Sequence, residues 1–80
     1  MECMNTISAV MLFNGSTAPE GWLICDGQFL SEENYPQLFN LIGLNYGRDS
    51  PTNFALPKFD SIGNCIYIIC VKGEFPMCMW

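Results

Sequence analysis

The side chains with the most chemical potential in this chain are Cys3, Cys25, Cys65, Cys70 and Cys78, the neighbours Cys25-Asp26, and the pair Glu32-Glu33. The cysteine count is odd and no two are spaced as Cys-x-x-Cys. A secreted disulfide framework shows even numbers behind a signal sequence, and a zinc site shows paired ligands, usually with histidine. The chain has no histidine at all. The cysteines are therefore read as buried free thiols that pack as small hydrophobes. Cys25 makes a poor nucleophile, because activation needs a base or a positive neighbour and Asp26 raises the thiol pKa instead. Glu32 and Glu33, on a helix, would point about 100° apart, so they do not converge on one substrate. They suit a helix start, where the macrodipole favours negative charge. No Gly-rich phosphate loop occurs, and no Ser/His/Asp set is possible without histidine. No catalytic, metal-binding or cofactor-binding residue is assigned, and the chain is read as non-enzymatic. Trp22, beside Gly21, and Tyr46 offer a sugar-stacking pair, although an aromatic flanked by a glycine turn also suits a core.

Something must hold these residues, and eighty of them allow one small compact domain, 1–80. A chain of this size buries roughly 60% of its unfolded surface, and its core supplies only about 3–5 kcal/mol. Half the residues are hydrophobic and 14% are charged. That is more apolar surface than a small interior hides, so part of it is expected to be covered by another subunit. The net charge is −5, with Arg48, Lys58 and Lys72 the only cations. Three scattered cations cannot displace counterions from phosphates, so neither nucleic acid nor an anionic membrane is a partner. No apolar run reaches the ~18–20 residues of a membrane span. The first residues lack the basic region of a signal peptide, which predicts synthesis in a reducing cytoplasm.

Along the chain, Thr6–Phe13 begins with alternation and becomes continuously apolar, predicting a strand entering a buried layer. A loop rich in turn formers leads to a short strand at Trp22-Leu23-Ile24-Cys25. Asp26-Gly27 is a tight-turn pair, across which Gln28-Phe29-Leu30 is expected to pair back. A helix follows at about residues 34–43, capped by Ser31 or Asn34, with Pro36 in its first turn and Gly43 ending it. Tyr35, Leu38, Phe39 and Ile42 form its apolar stripe. Residues 44–53 read as a polar loop, and Phe54-Ala55-Leu56-Pro57 as a brief extended piece. Cys65–Val71, apolar on both faces, predicts a central strand or a partner-covered edge. The fold class is α+β, a small antiparallel or mixed sheet of short strands with one short helix.

The order of these motifs resembles the phage tail-collar family. Ala18-Pro19-Glu20-Gly21-Trp22-Leu23-Ile24-Cys25-Asp26-Gly27 is similar to the family's AP-x-GW-x-x-CDG pattern. Tyr35-Pro36-Gln37-Leu38-Phe39, Leu41-Ile42-Gly43 and Tyr46-Gly47 follow in order. Phe54-Ala55-Leu56-Pro57 resembles the F-x-LPD step, and Asn64–Ile69 the closing strand, with Gly73-Glu74-Phe75-Pro76 after it. The resemblance implies that Gly21, Trp22, Cys25, Asp26, Gly27, Phe54, Ala55, Leu56 and Pro57 are scaffold residues. Two departures limit it. Lys58 stands where the family has aspartate, and only Phe59–Gly63 replaces a long Gly-rich insertion. In relatives that insertion builds an intertwined trimer and carries metal-binding histidines, so neither property is carried over.

What remains is an apolar C-terminal third. Ile66, Ile68, Phe75, Met77, Met79 and Trp80 are the candidate interface, since Met and Trp are enriched where interfaces pack. The expected function is a phage or prophage tail-collar-like assembly module. Its partner would be itself, as a homo-oligomer, or phage tail proteins, and its place a virion or tail-like particle. Two alternatives are a free cytoplasmic effector that binds a host protein, and a carbohydrate-binding module using Trp22 and Tyr46.

Overall fold

The computed structural model describes residues 6–73. Five strands and one helix run in the order β1 (Val10–Asn14), β2 (Trp22–Ile24), β3 (Phe29–Ser31), α1 (Pro36–Ile42), β4 (Asn53–Ala55) and β5 (Cys65–Cys70). They form a three-stranded antiparallel sheet, β1-β5-β2, and a two-stranded antiparallel sheet, β3-β4. The architecture is α+β.

β5 is the central strand of the larger sheet, as an apolar run without charge requires. Its side chains alternate between faces. Ile69 and Tyr67 face the main core, built from Ile7, Cys25, Leu30, Leu38, Phe54, Leu56 and Ile69. Ile68 and Cys70 face a second cluster with Trp22, against which Ala9, Phe13, Ala18 and Ile66 pack. Register fixes these faces, pairing Leu12 with Tyr67, Val10 with Ile69, and Leu23 with Ile69 from the other side.

The apolar stripe of α1 lies on the main core, with Leu38 fully buried and Tyr35, Phe39 and Ile42 half-buried beside it. Pro36 occupies the first turn, where its missing N–H has no intrahelical partner to lose. The cap differs from expectation. The N-cap is Tyr35, without a side-chain hydrogen bond. The Ser31 hydroxyl instead accepts from the Glu33 backbone N–H at 3.1 Å, a local turn that precedes the helix. Glu32 and Glu33 therefore lie before α1, and its first turn holds no acidic residue. Gly43 ends the helix at φ 56°, its N–H donating to the Phe39 carbonyl at 2.7 Å.

Two other expectations are corrected. Residues 28–30 do not pair back on the strand before Asp26-Gly27; β3 pairs with β4. A two-residue type I′ turn needs positive φ at both central positions, and of the two only Gly27 has it. The Asp26 carboxylate accepts from the Gln28 N–H at 3.0 Å, so the chain turns once and moves on to a new partner. Among the described residues β1, read as entering a buried layer, lies at the edge of its sheet, with Val10, Met11 and Leu12 exposed. No helix among the described residues is long and apolar enough to cross a membrane.

Candidate assembly surface

The motif residues are brought together as a scaffold. Pro19 to Trp22 is a tight turn, with the Trp22 N–H donating to the Pro19 carbonyl at 3.1 Å and Gly21 at φ 91°. Positive φ at that position calls for glycine. The Gly21 carbonyl then accepts from the N–H groups of Val71 and Lys72, tying the turn to the end of β5. Trp22, 8% exposed, fills the second cluster against Ile68 and Cys70. Its ring is packing material, and little of it remains for a sugar.

The two other motif segments zip to each other. The Cys25 carbonyl accepts from the Phe59 N–H at 3.0 Å, Gly27 N–H donates to Pro57 at 3.2 Å, and Leu56 N–H donates to Gln28 at 2.9 Å. Asp26 opposes Lys58 in an isolated bridge. With β3 and β4 continuing the register, residues 25–31 and 53–59 make one antiparallel ladder. Phe54, Ala55, Leu56 and Pro57 are all buried along it.

Gly27 sits where this ladder crosses closest. Its φ is 82°, and a Cβ there would lie 3.4 Å from the Lys58 Cβ. Gly27→Ala is expected to cost about 1–2 kcal/mol from left-handed backbone strain, and Gly27→Asn less, since asparagine tolerates that region. Urea midpoints of the two variants check the order.

Cys25 is an inert thiol. Burial, and secondarily the Asp26 carboxylate, push its pKa up from 9.0 to about 11. At pH 8 this leaves roughly a hundredfold less thiolate than an unperturbed cysteine has, so alkylation by iodoacetamide should be about a hundredfold slower in the native chain than in urea. The fold prefers the neutral thiol, so this group costs no stability below about pH 9. Its contribution is lost as pH rises from 9.0 through about 11. A denaturation midpoint that is flat across that window contradicts the assignment. Cys25 and Cys65 are free, whereas Cys70 is disulfide-bonded, which corrects the reading of free thiols at that position.

The interface residues need the largest revision. Ile68 is 0% exposed and Ile66 half-buried, both packed with Trp22, so Ile68 cannot line an outer surface. The central position of β5 covers them from two sides. Phe75, Met77, Met79 and Trp80 lie outside the described residues. Exposed apolar side chains sit on β1, at Phe29 on β3, at Leu44 and Tyr46 after α1, and on the segment before β5. Val10 is 41% exposed, Leu12 45%, Phe59 44% and Ile62 54%. Two of these, Leu12 and Phe59, adjoin Tyr67. Leu12 is its cross-strand partner, and Val10 shares the face of Leu12 two residues along β1. The Phe59 ring meets Tyr67 edge-on at 5.4 Å, and Ile62 bridges Cys65 in the turn that leads into β5. The sequence signal for this surface was present in the uncharged run from Thr6 to Thr17.

The family model described as Phage Tail Collar Domain matches residues 8–62. All nine scaffold residues, from Gly21 to Pro57, lie inside that span. Protein RhiB of Rhizobium leguminosarum bv. viciae is similar to this chain, 35% identical over 43 residues. That match takes in 50% of this chain but 20% of RhiB, so the chain spans about a fifth of that relative's length.

Proposed function

We propose that this chain, which belongs to the phage tail collar domain family, serves the tail-related structural role of that family by joining proteins, with no catalytic step of its own. The observation that carries this reading is the use made of the motif residues. Each is consumed by the scaffold: Gly21 and Gly27 by turns, Trp22, Cys25, Phe54 and Leu56 by the two clusters. Burial raises the pKa of Cys25 and so moves that thiol away from reactivity. Outward the fold presents apolar side chains, Val10, Met11 and Leu12 on β1 and Phe59 beside Tyr67 among them, and apolar patches of a few hundred Å² on a small protein mark contact sites.

In this reading the chain takes its place in a virion or tail-like particle, held there by protein–protein contacts. Light scattering on the full chain, alone and mixed with the tail proteins of the same particle, tests it. A self-assembled species or a complex with a tail protein is the expected result. A stable monomer with no affinity for any tail protein overturns the proposal.

A further inference from the structure

We propose that Asn14-Gly15 is a self-modifying pair. The Asn14 carboxamide closes on the Gly15 nitrogen, and the ring then opens to leave aspartate or isoaspartate at the end of β1. This site is independent of the assembly reading above.

The pair stands out by chemistry and by place. Ring closure brings the nitrogen of the following residue onto the asparagine Cγ, and a side chain on that residue obstructs the approach. Of this chain's asparagines, Asn14 alone is followed by glycine. It is the last residue of β1 and is exposed. The ladder with β5 ends there, at the rung that sets Asn14 opposite Cys65. Asn14 lines an open cleft, with Gly15 and Ser16 beside it and Ser61, Gly63 and Asn64 across from it. Water therefore has access to the site. Among the described residues no hydrogen bond holds the Asn14 carboxamide.

Packing favours the glycine. A Cβ on Gly15 would lie 3.2 Å from Phe13 Cε2, and Phe13 packs against the cluster around Trp22. Asp26-Gly27 supplies the contrast. Closure there is restrained twice, since the Asp26 carboxylate accepts from the Gln28 N–H at 3.0 Å and the Gly27 N–H donates to the Pro57 carbonyl at 3.2 Å. At Asn14-Gly15 the restraint is single, the Gly15 N–H donating to the Asn64 carbonyl at 3.2 Å. That is the long limit of a sound N–H···O bond, and it lies at the end of a ladder, where opening is easiest.

No oxidant or cofactor enters the step. The Gly15 amide loses its proton to hydroxide and its nitrogen bonds to Asn14 Cγ. The bond from Cγ to the side-chain nitrogen breaks, and ammonia leaves with a proton from water. Water then adds to one of the two ring carbonyls. Cleavage at Cγ gives aspartate in an unchanged backbone. Cleavage at the Asn14 main-chain carbonyl gives isoaspartate, whose backbone runs through the side-chain carbons and is longer by one atom. Either product adds a negative charge to a chain of net −5. Isoaspartate also breaks the register of Asn14 with Cys65.

Peptide mapping by mass spectrometry tests the proposal, on the full chain aged at mildly alkaline pH with and without urea. In the native chain Asn14 should convert, the other asparagines and Asp26 should not, and the rate should rise with pH. Conversion should be about tenfold slower than in urea, the protection that one terminal hydrogen bond gives. Hydrogen exchange at the Gly15 amide should show protection of the same size. Asn14→Gln should abolish the conversion, because closure then needs a larger ring. Chain enriched in isoaspartate should unfold at lower urea than fresh chain, whereas Asn14→Asp, which adds the charge alone, should keep the fresh midpoint. A native chain that stays intact at Asn14 while the urea-treated chain converts overturns the proposal. Equal rates in the two conditions, or conversion spread evenly over the asparagines, overturn it as well.

Discussion

Replacing Phe54 by alanine is expected to leave the chain largely unfolded at 25 °C. Phe54 is fully buried at the centre of the main core, among Leu30, Leu38, Leu56 and Ile69. Its ring also meets that of Phe39 at 5.3 Å and 53°, joining β4 to α1. Truncating a buried phenylalanine costs about 3–5 kcal/mol, from lost burial and from the cavity left behind. A domain of this length holds about the same amount in total. The substitution therefore removes most or all of the folding free energy. Phe54→Leu keeps much of the volume and should cost far less. Urea titration followed by circular dichroism measures both. A Phe54→Ala variant with the wild-type midpoint would mean that β4 and α1 do not share a core.

Trp22→Ala is the second large effect, and it separates two roles for that residue. In the fold, Trp22 packs against Ile68 and Cys70, with Ala9, Phe13 and Ala18 around them. Losing it costs about 3–5 kcal/mol for the same reasons. It also removes the side chain that the Pro19–Trp22 turn delivers into the sheet. The expected result is a global loss of stability, visible as a lowered thermal midpoint without any ligand. A sugar-stacking tryptophan behaves in the opposite way, since its truncation removes binding and leaves the midpoint in place. A stable Trp22→Ala variant would thus reopen the carbohydrate reading, with Tyr46, which is exposed on its loop, as the second aromatic.

Much of this fold was legible because single segments carried their own instructions. The i, i+3, i+4, i+7 spacing from Tyr35 to Ile42 announced α1, and the uninterrupted Cys65–Val71 run announced a strand, central or covered at an edge by a partner. Gly21 and Gly27 announced turns, and both have positive φ. Pairing was less legible. Asp26-Gly27 looks like a hairpin turn, but a turn residue does not say which strand is reached after it. The answer lay some thirty residues away, in the ladder between 25–31 and 53–59, and only the quoted family motifs hinted that the two segments belonged together. Edge and centre were also indistinguishable by composition. Val10-Met11-Leu12 and Ile66-Tyr67-Ile68 are similar apolar strings, yet among the described residues β5 has strands on both sides and β1 lies at the sheet's edge. The candidate interface was accordingly assigned to Ile68, which is buried, while Val10 and Leu12, which are exposed, went unnamed.

The central claim is that the scaffold motifs only build the fold and that function resides in the apolar face they leave outward. Leu12→Lys probes it most directly, since Leu12 lies in that face, is 45% exposed and belongs to neither buried cluster. The measurement is the amount of wild-type and Leu12→Lys chain recovered in gradient-purified tail-bearing particles, quantified by mass spectrometry, with thermal midpoints recorded for both. The account predicts that the variant keeps the wild-type midpoint to within a few degrees, as surface substitutions do, and is depleted from particles. Equal recovery of the two chains, at equal stability, would contradict it.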